Sequence, residues 1–150
     1  MATVSLDRRQ RATLVAAGLG FVVVLLDVSV VNVALETLRL NFGTDVAGLQ
    51  WVVNAYTLVF AALLLSCGAL GDRVGAKRIF VAGFVVFTVA SLACGLAPSL
   101  ALLVVARIVQ GMGAALLVPS SLMLLQQAFP IPSQRSRAVG WWGAAGGIAL

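Results

Sequence analysis

An aspartate at position 27 and an arginine at position 107 each stand alone in a long apolar stretch, and a glutamine at position 110 follows the arginine by about one helical turn. A lone charge in hydrocarbon costs from about 2.5 to more than 10 kcal/mol, so a charge retained there is by default a functional-site hypothesis. Asp27 and Arg107 can form an ion pair, which lowers the cost of burying either. Gln110, at i+3 from Arg107, faces nearly the same way and can join them. Such a carboxylate can also exchange protons. Burial favours its neutral form and a nearby guanidinium favours its ionised form, so a change in their separation captures or releases a proton. A static bridge that only fixes packing is the competing reading.

The elements that must hold these side chains are set by hydropathy. Of 150 residues, 61% are hydrophobic and 10% charged, and the mean hydropathy is +1.08. Soluble domains carry roughly a quarter charged residues, so the solvent of this chain is a bilayer. Apolar runs at 13–35, 51–70, 79–97 and 100–125 are each near or above the roughly 20 residues that cross about 30 Å of hydrocarbon. A fifth run, 138–150, is shorter. The expectation is an all-α membrane protein: a basic N-terminus (1–12), then a transmembrane bundle (13–150) of four complete helices and the start of a fifth. A helix cut short in hydrocarbon leaves carbonyls unpaired, so the chain is read as the N-terminal part of a longer protein. Asp27 lies eight residues before Leu35 and Arg107 seven after Leu100, about 12 Å and 10 Å below the same membrane face. They sit at nearly one level.

The net charge of +5 is a matter of topology rather than of a nucleic-acid partner. Arg8, Arg9 and Arg11 precede the first helix, Arg73, Lys77 and Arg78 lie between the second and third, and Arg135 and Arg137 between the fourth and fifth. The intervening connections carry no basic cluster, so a cytoplasmic N-terminus in the cell membrane satisfies every loop. Arg8-Arg9 is not read as a twin-arginine signal, because the run behind it is too long, holds Asp27 and has no convincing cleavage site. Cys67 and Cys94 fall near opposite membrane faces and are too far apart to bridge. With no histidine and no nucleophile beside a plausible base, neither metal site, cofactor nor catalytic constellation is expected.

Small residues suggest where helices meet. Gly111 with Ala115, Gly140 with Ala144, and Gly143 with Gly147 are small-xxx-small pairs that allow close backbone approach. Pro119 inside the fourth helix predicts a bend. The segment Gly68-Ala69-Leu70-Gly71-Asp72-Arg73-Val74-Gly75-Ala76-Lys77-Arg78 holds more chemistry than a hairpin connection needs. A topogenic loop explains Arg73, Lys77 and Arg78 but neither Asp72 nor the glycine spacing, which suit an ion-pair cluster and tight turning.

Gly68, Leu70, Asp72, Arg73, Gly75 and Lys77 resemble the signature G-x-L-a-D-r-x-G-r-k between helices two and three of the major facilitator superfamily. Gly71 replaces the usual alanine, and Ala76 stands where many members carry the arginine that pairs with the motif aspartate. Lys77 or Arg78 is the expected substitute. Arg107-Ile108-Val109-Gln110-Gly111-Met112-Gly113-Ala114-Ala115 is similar to the family's R-x-x-Q-G-x-G-a-A stretch in helix four. Leu26-Asp27-Val28-Ser29-Val30-Val31-Asn32-Val33-Ala34-Leu35 resembles l-D-x-T-v-v-N-V-A-L-P of the fourteen-helix drug:proton antiporters, with Glu36 for the final proline. Gln50-Trp51-Val52-Val53-Asn54-Ala55-Tyr56 is similar to the opening of helix two in that branch. The antiporter signature of helix five, g-x-x-x-G-P-x-x-G-G, does not occur before Leu150.

The resemblance implies two six-helix bundles, with two extra helices in this branch, rocking about a central cavity lined by helices one and four. The partners implied are protons, a small-molecule substrate, the bilayer and the remaining C-terminal helices. The roles implied are coupling for Asp27, Arg107 and Gln110, cavity lining for Asn32 and Asn54, and gating for Gly68, Asp72, Arg73, Gly75, Lys77 and Arg78. Gly111, Ala115, Gly143 and Gly147 are expected to pack helices. The function expected is proton-coupled efflux of drugs or other small molecules. A metabolite symporter or uniporter on the same fold, and a small non-transporting scaffold, are the alternatives.

Overall fold

The computed structural model describes residues 6–148, so the ends of the expected N-terminal segment (1–5) and of the fifth run (149–150) lie outside the described residues. Five helices follow one another: α1 (Arg8–Phe42), α2 (Val46–Val74), α3 (Ala76–Gly95), α4 (Leu100–Ala128) and α5 (Pro132–Ile148). Among the described residues every regular element is a helix. The first four are long and apolar enough to cross a membrane, which makes this a multi-pass membrane protein.

The helices outrun the apolar runs because polar residues at their ends satisfy the terminal backbone groups. Asp7 caps α1 in a reciprocal box with Gln10, so Arg8, Arg9 and Arg11 belong to the first turns of α1 rather than to a segment before it. Asp45 and Ser99 accept from Gly48 N and Leu102 N at the starts of α2 and α4. Gly43, at φ +58°, ends α1 in the left-handed conformation that glycine adopts without penalty. At 35 residues, α1 is roughly 52 Å long and exceeds the hydrocarbon thickness.

α4 is the centre of the bundle and packs against α2 and α3 along its length, with α1 across it and α5 on α1. Backbones approach where glycine removes the side chain. A Cβ on Gly111 would lie 2.7 Å from the Tyr56 carbonyl oxygen of α2, and one on Gly113 2.6 Å from the Phe87 nitrogen of α3. Gly83 on α3 answers Gly113, since its Cβ would lie 3.0 Å from the Gly113 oxygen. α2, α3 and α4 are thereby locked backbone to backbone. Val24, Tyr56, Phe87, Ala114 and Leu117 fill the space between the four spanning helices, and Ala17, Leu125, Phe129 and Ala138 close the end that carries the N-terminus of α1.

α4 runs through Pro119 without interruption. Ser120 Oγ donates to the Leu116 and Leu117 carbonyls (2.6 and 3.1 Å), and Ser121 Oγ to Val118 (2.7 Å), so both hydroxyls are satisfied inside the helix. The proline-bearing turn also anchors α5. Trp142 Nε1 donates to Ser121 Oγ at 3.2 Å, and its ring stacks on Phe21 at 3.9 Å between centroids.

Candidate functional site

Asp27 on α1 and Arg107 and Gln110 on α4 form one closed network. Arg107 Nη1 donates to Asp27 Oδ2 at 2.5 Å and to Gln110 Oε1 at 2.7 Å, while Gln110 Nε2 donates to Asp27 Oδ1 at 2.6 Å. Both carboxylate oxygens are engaged. The side chains of Arg107 and Asp27 are 2% and 14% exposed and Gln110 is fully buried. Among the described residues no buried side-chain polar atom lacks a partner, the condition under which a charge pair survives desolvation.

Two further helices contribute. From α2, the Val52 carbonyl accepts from Arg107 Nε at 3.3 Å, and the Tyr56 ring lies under the guanidinium with Cζ 4.2 Å from its centroid. Tyr56 is itself buried and stacked parallel to Phe60. From α3, Cys94 Sγ donates to Gln110 Oε1 at 3.5 Å. Four helices thus converge on one carboxylate and one guanidinium. Chemically the arrangement can hold a negative charge on Asp27, exchange it for a proton, or offer it to a competing cation.

The expected gating segment has a different construction. Residues 68–74 are the last two turns of α2, and Ala76 opens α3, so the loop expected there is a single non-helical residue, Gly75. Gly75 has φ +105°, which is what confines the break to one residue. Asp72, Arg73, Lys77 and Arg78 are all exposed. The ion pairs among the described residues are Arg107–Asp27 and Arg39–Glu36 at 2.8 Å, so Asp72 has no partner in Lys77 or Arg78. Lys77 instead lines an open groove of about 900 Å³ with Arg9, Gln10, Phe80 and Leu124. The helix accommodates the motif because nothing between Gly68 and Val74 forbids helical geometry and Arg73 favours the C-terminal end of the helix dipole. Gly71 faces α4, where a Cβ would meet Met123 Sδ at 2.8 Å.

The packing residues divide as well. Gly111 and Ala115 are buried on α4 as expected. Gly143 and Gly147 are exposed with open space at their Cβ positions, and Gly140 is likewise open. The small residue of α5 that meets a neighbour is Gly146, set against Phe21 and Leu25 of α1. One residue is about 100° of helix rotation, enough to turn the expected face away from the bundle. Asn32 and Asn54 are exposed in this chain, outside the Asp27 network.

Residues 17–150 match the profile of the family described as Major Facilitator Superfamily. This chain belongs to that superfamily. Among curated relatives of this Major Facilitator chain, the "Drug efflux pump JefA" of Mycobacterium tuberculosis (strain H37Rv) is 49% identical over 138 residues, 92% of this chain and 27% of that protein. The "Methylenomycin A resistance protein" of Streptomyces coelicolor is 50% identical over 129 residues, 86% and 27% of the two chains. The "Cephamycin export protein CmcT" of Amycolatopsis lactamdurans is 47% identical over 126 residues, 84% and 26%. The chain therefore spans about a quarter of the length of the relatives it matches.

Within the Major Facilitator bundle, sequence reasoning missed Tyr56, the Val52 carbonyl and Cys94 as members of the site. A backbone carbonyl has no signature, and one aromatic ring in an apolar run looks like core. Tyr56 Cβ and Val52 Cβ are one turn apart on α2, and a buried guanidinium needs more acceptors than one carboxylate supplies, which is the signal that points to a third helix.

Proposed function

We propose that this chain carries the proton-coupling site of an efflux transporter of drugs or other small molecules, working by alternating access with the remaining helices of a fourteen-helix major facilitator. The observation that carries the proposal is the closed Asp27–Arg107–Gln110 network, largely withdrawn from solvent between α1 and α4. The names of the three relatives cited above, of efflux, resistance and export, favour outward transport.

In the outward-facing state the Asp27 carboxylate takes up a proton and its ion pair with Arg107 is relaxed. In the inward-facing state the proton leaves and the carboxylate is free for Arg107 or for a cationic or polar substrate. Each proton carried inward gains about 2.3 kcal/mol per 100 mV of membrane potential, which drives export against a gradient. Asn32 and Asn54 line the substrate cavity once the other bundle faces them. The residues around Gly75 control closure at the end carrying Arg8 and Arg73, which is cytoplasmic in the cell membrane on the basic-loop pattern.

The test is proton-gradient-driven efflux in proteoliposomes containing the full-length transporter. Asp27→Asn is expected to abolish efflux at undiminished expression, and efflux from that variant at the wild-type rate would overturn the proposal.

A further inference from the structure

When Asp27 takes a proton, Arg107 loses its counter-charge while still buried, and something else must hold it. Gln110 Oε1 is one remaining acceptor, shared with the Cys94 thiol. The other two partners are on α2: the Val52 carbonyl and the Tyr56 ring. That segment of α2 is fixed to α4 beside the arginine, because Gly111, one turn beyond Arg107, packs on the carbonyl oxygen of Tyr56 itself. Asp27 comes from α1, whose Gly20 meets its neighbours through side chains: a Cβ there would touch side-chain atoms of Leu117 on α4 and Phe80 on α3 at 2.9 Å, not backbone. The guanidinium therefore has its aromatic platform on the helix locked to its own, and its carboxylate partner on the helix that is not.

We propose, resting on the coupling reading above, that Tyr56 is a positioning residue of the site: its ring face, with the Val52 carbonyl, keeps Arg107 in place on α2 while Asp27 gains and loses a proton. The face of an aromatic ring attracts a cation through its quadrupole, most strongly where water is excluded. Its contribution matters most in the proton-bound state, when the carboxylate no longer neutralises the guanidinium. Removing the ring leaves Arg107 with fewer partners in that state, so proton uptake is disfavoured and requires a lower pH. The titratable or charged groups facing the site are Asp27 from α1, the Tyr56 phenol from α2, the Cys94 thiol from α3 and Arg107 from α4.

The experiment is a pH titration of proton uptake in the reconstituted full-length transporter, read from the infrared carboxylic-acid band that Asp27→Asn removes. This readout needs no knowledge of the substrate. Tyr56→Phe keeps the ring and is expected to hold the midpoint, whereas Tyr56→Leu is expected to move it about 0.5 to 1 pH unit toward acid. Phenylalanine analogues bearing one, two and three ring fluorines at position 56 keep the shape while weakening the face stepwise. They are expected to move the midpoint in the same direction in steps, and they decide the matter if Tyr56→Leu does not fold. An unmoved midpoint across the fluorinated series, or an equal shift for Tyr56→Phe and Tyr56→Leu, would overturn the assignment. If Asp27→Asn removes no pH-dependent band, the coupling reading itself fails, a result distinct from either outcome at Tyr56.

Discussion

Two groups of charges in this bundle have opposite environments. Around Arg107 the charges are largely withdrawn from solvent, the guanidinium donates from Nε and Nη1, both Asp27 oxygens accept, and four helices supply the partners. Around Gly75, Asp72, Arg73, Lys77 and Arg78 are exposed, and none of them is in an ion pair. Charge at Arg107 is held in one geometry by desolvation, since an unpaired guanidinium there would cost several kcal/mol. Charge at Gly75 is free to take whatever partner is offered, because exposed ions lose little by remaining in water. The proposed coupling role calls for the first kind of environment and the proposed gating role for the second.

The largest expected effect is at the buried group. Arg107→Ala strands Asp27 without its counter-charge and is expected to destabilise the bundle by about 3 to 5 kcal/mol, measured by denaturant unfolding in detergent. Arg107→Lys restores the charge but neither the Nε bond to Val52 nor the guanidinium carbon over the Tyr56 ring, and should recover less than half of that loss. A wild-type unfolding curve for Arg107→Ala would dissolve the contrast between the two groups.

An intermediate effect is expected where α4 meets its neighbours. Gly113→Ala places a Cβ against the Phe87 backbone and is expected to cost about 1 to 3 kcal/mol as overpacking. Gly147→Ala, with open space at its Cβ, should change stability by less than about 0.5 kcal/mol. Equal effects at both positions would mean that the glycines of α5 carry as much packing as those of α4.

The smallest effect on stability is expected at the joint. Asp72→Asn should shift unfolding by no more than about 0.5 kcal/mol, because no bond is lost. The Lys77→Ala, Arg78→Ala double variant should be as quiet in unfolding. Slower substrate transport from that double variant in the full-length transporter would show that the two cations serve gating, and unchanged rates would remove them from the proposed gate.

The sequence made the buried group legible because hydrocarbon penalises charge so strongly that Asp27 and Arg107 had to be partners at one depth, and helical spacing then brought in Gln110. It could not reveal Tyr56 or Val52, since which face of α2 meets α4 depends on Gly111 sitting over one particular carbonyl. The helix order and the apolar spans followed from hydropathy, while the ends did not, because capping by Asp7 and Asp45 carries the helices into polar sequence. The spacing of Gly143 and Gly147 satisfied the small-residue pattern equally well as that of Gly111 and Ala115. Only the rotation of α5, set by Trp142 against Phe21 and Ser121, selects Gly146 instead.

The central claim, that Asp27 is the carboxylate through which proton and substrate exchange, is tested most directly by substrate-induced proton release from the purified full-length transporter in weakly buffered detergent solution. Wild-type protein is predicted to release protons on addition of a transported drug, and Asp27→Asn to release none. Release from Asp27→Asn equal to that of the wild type would contradict the account.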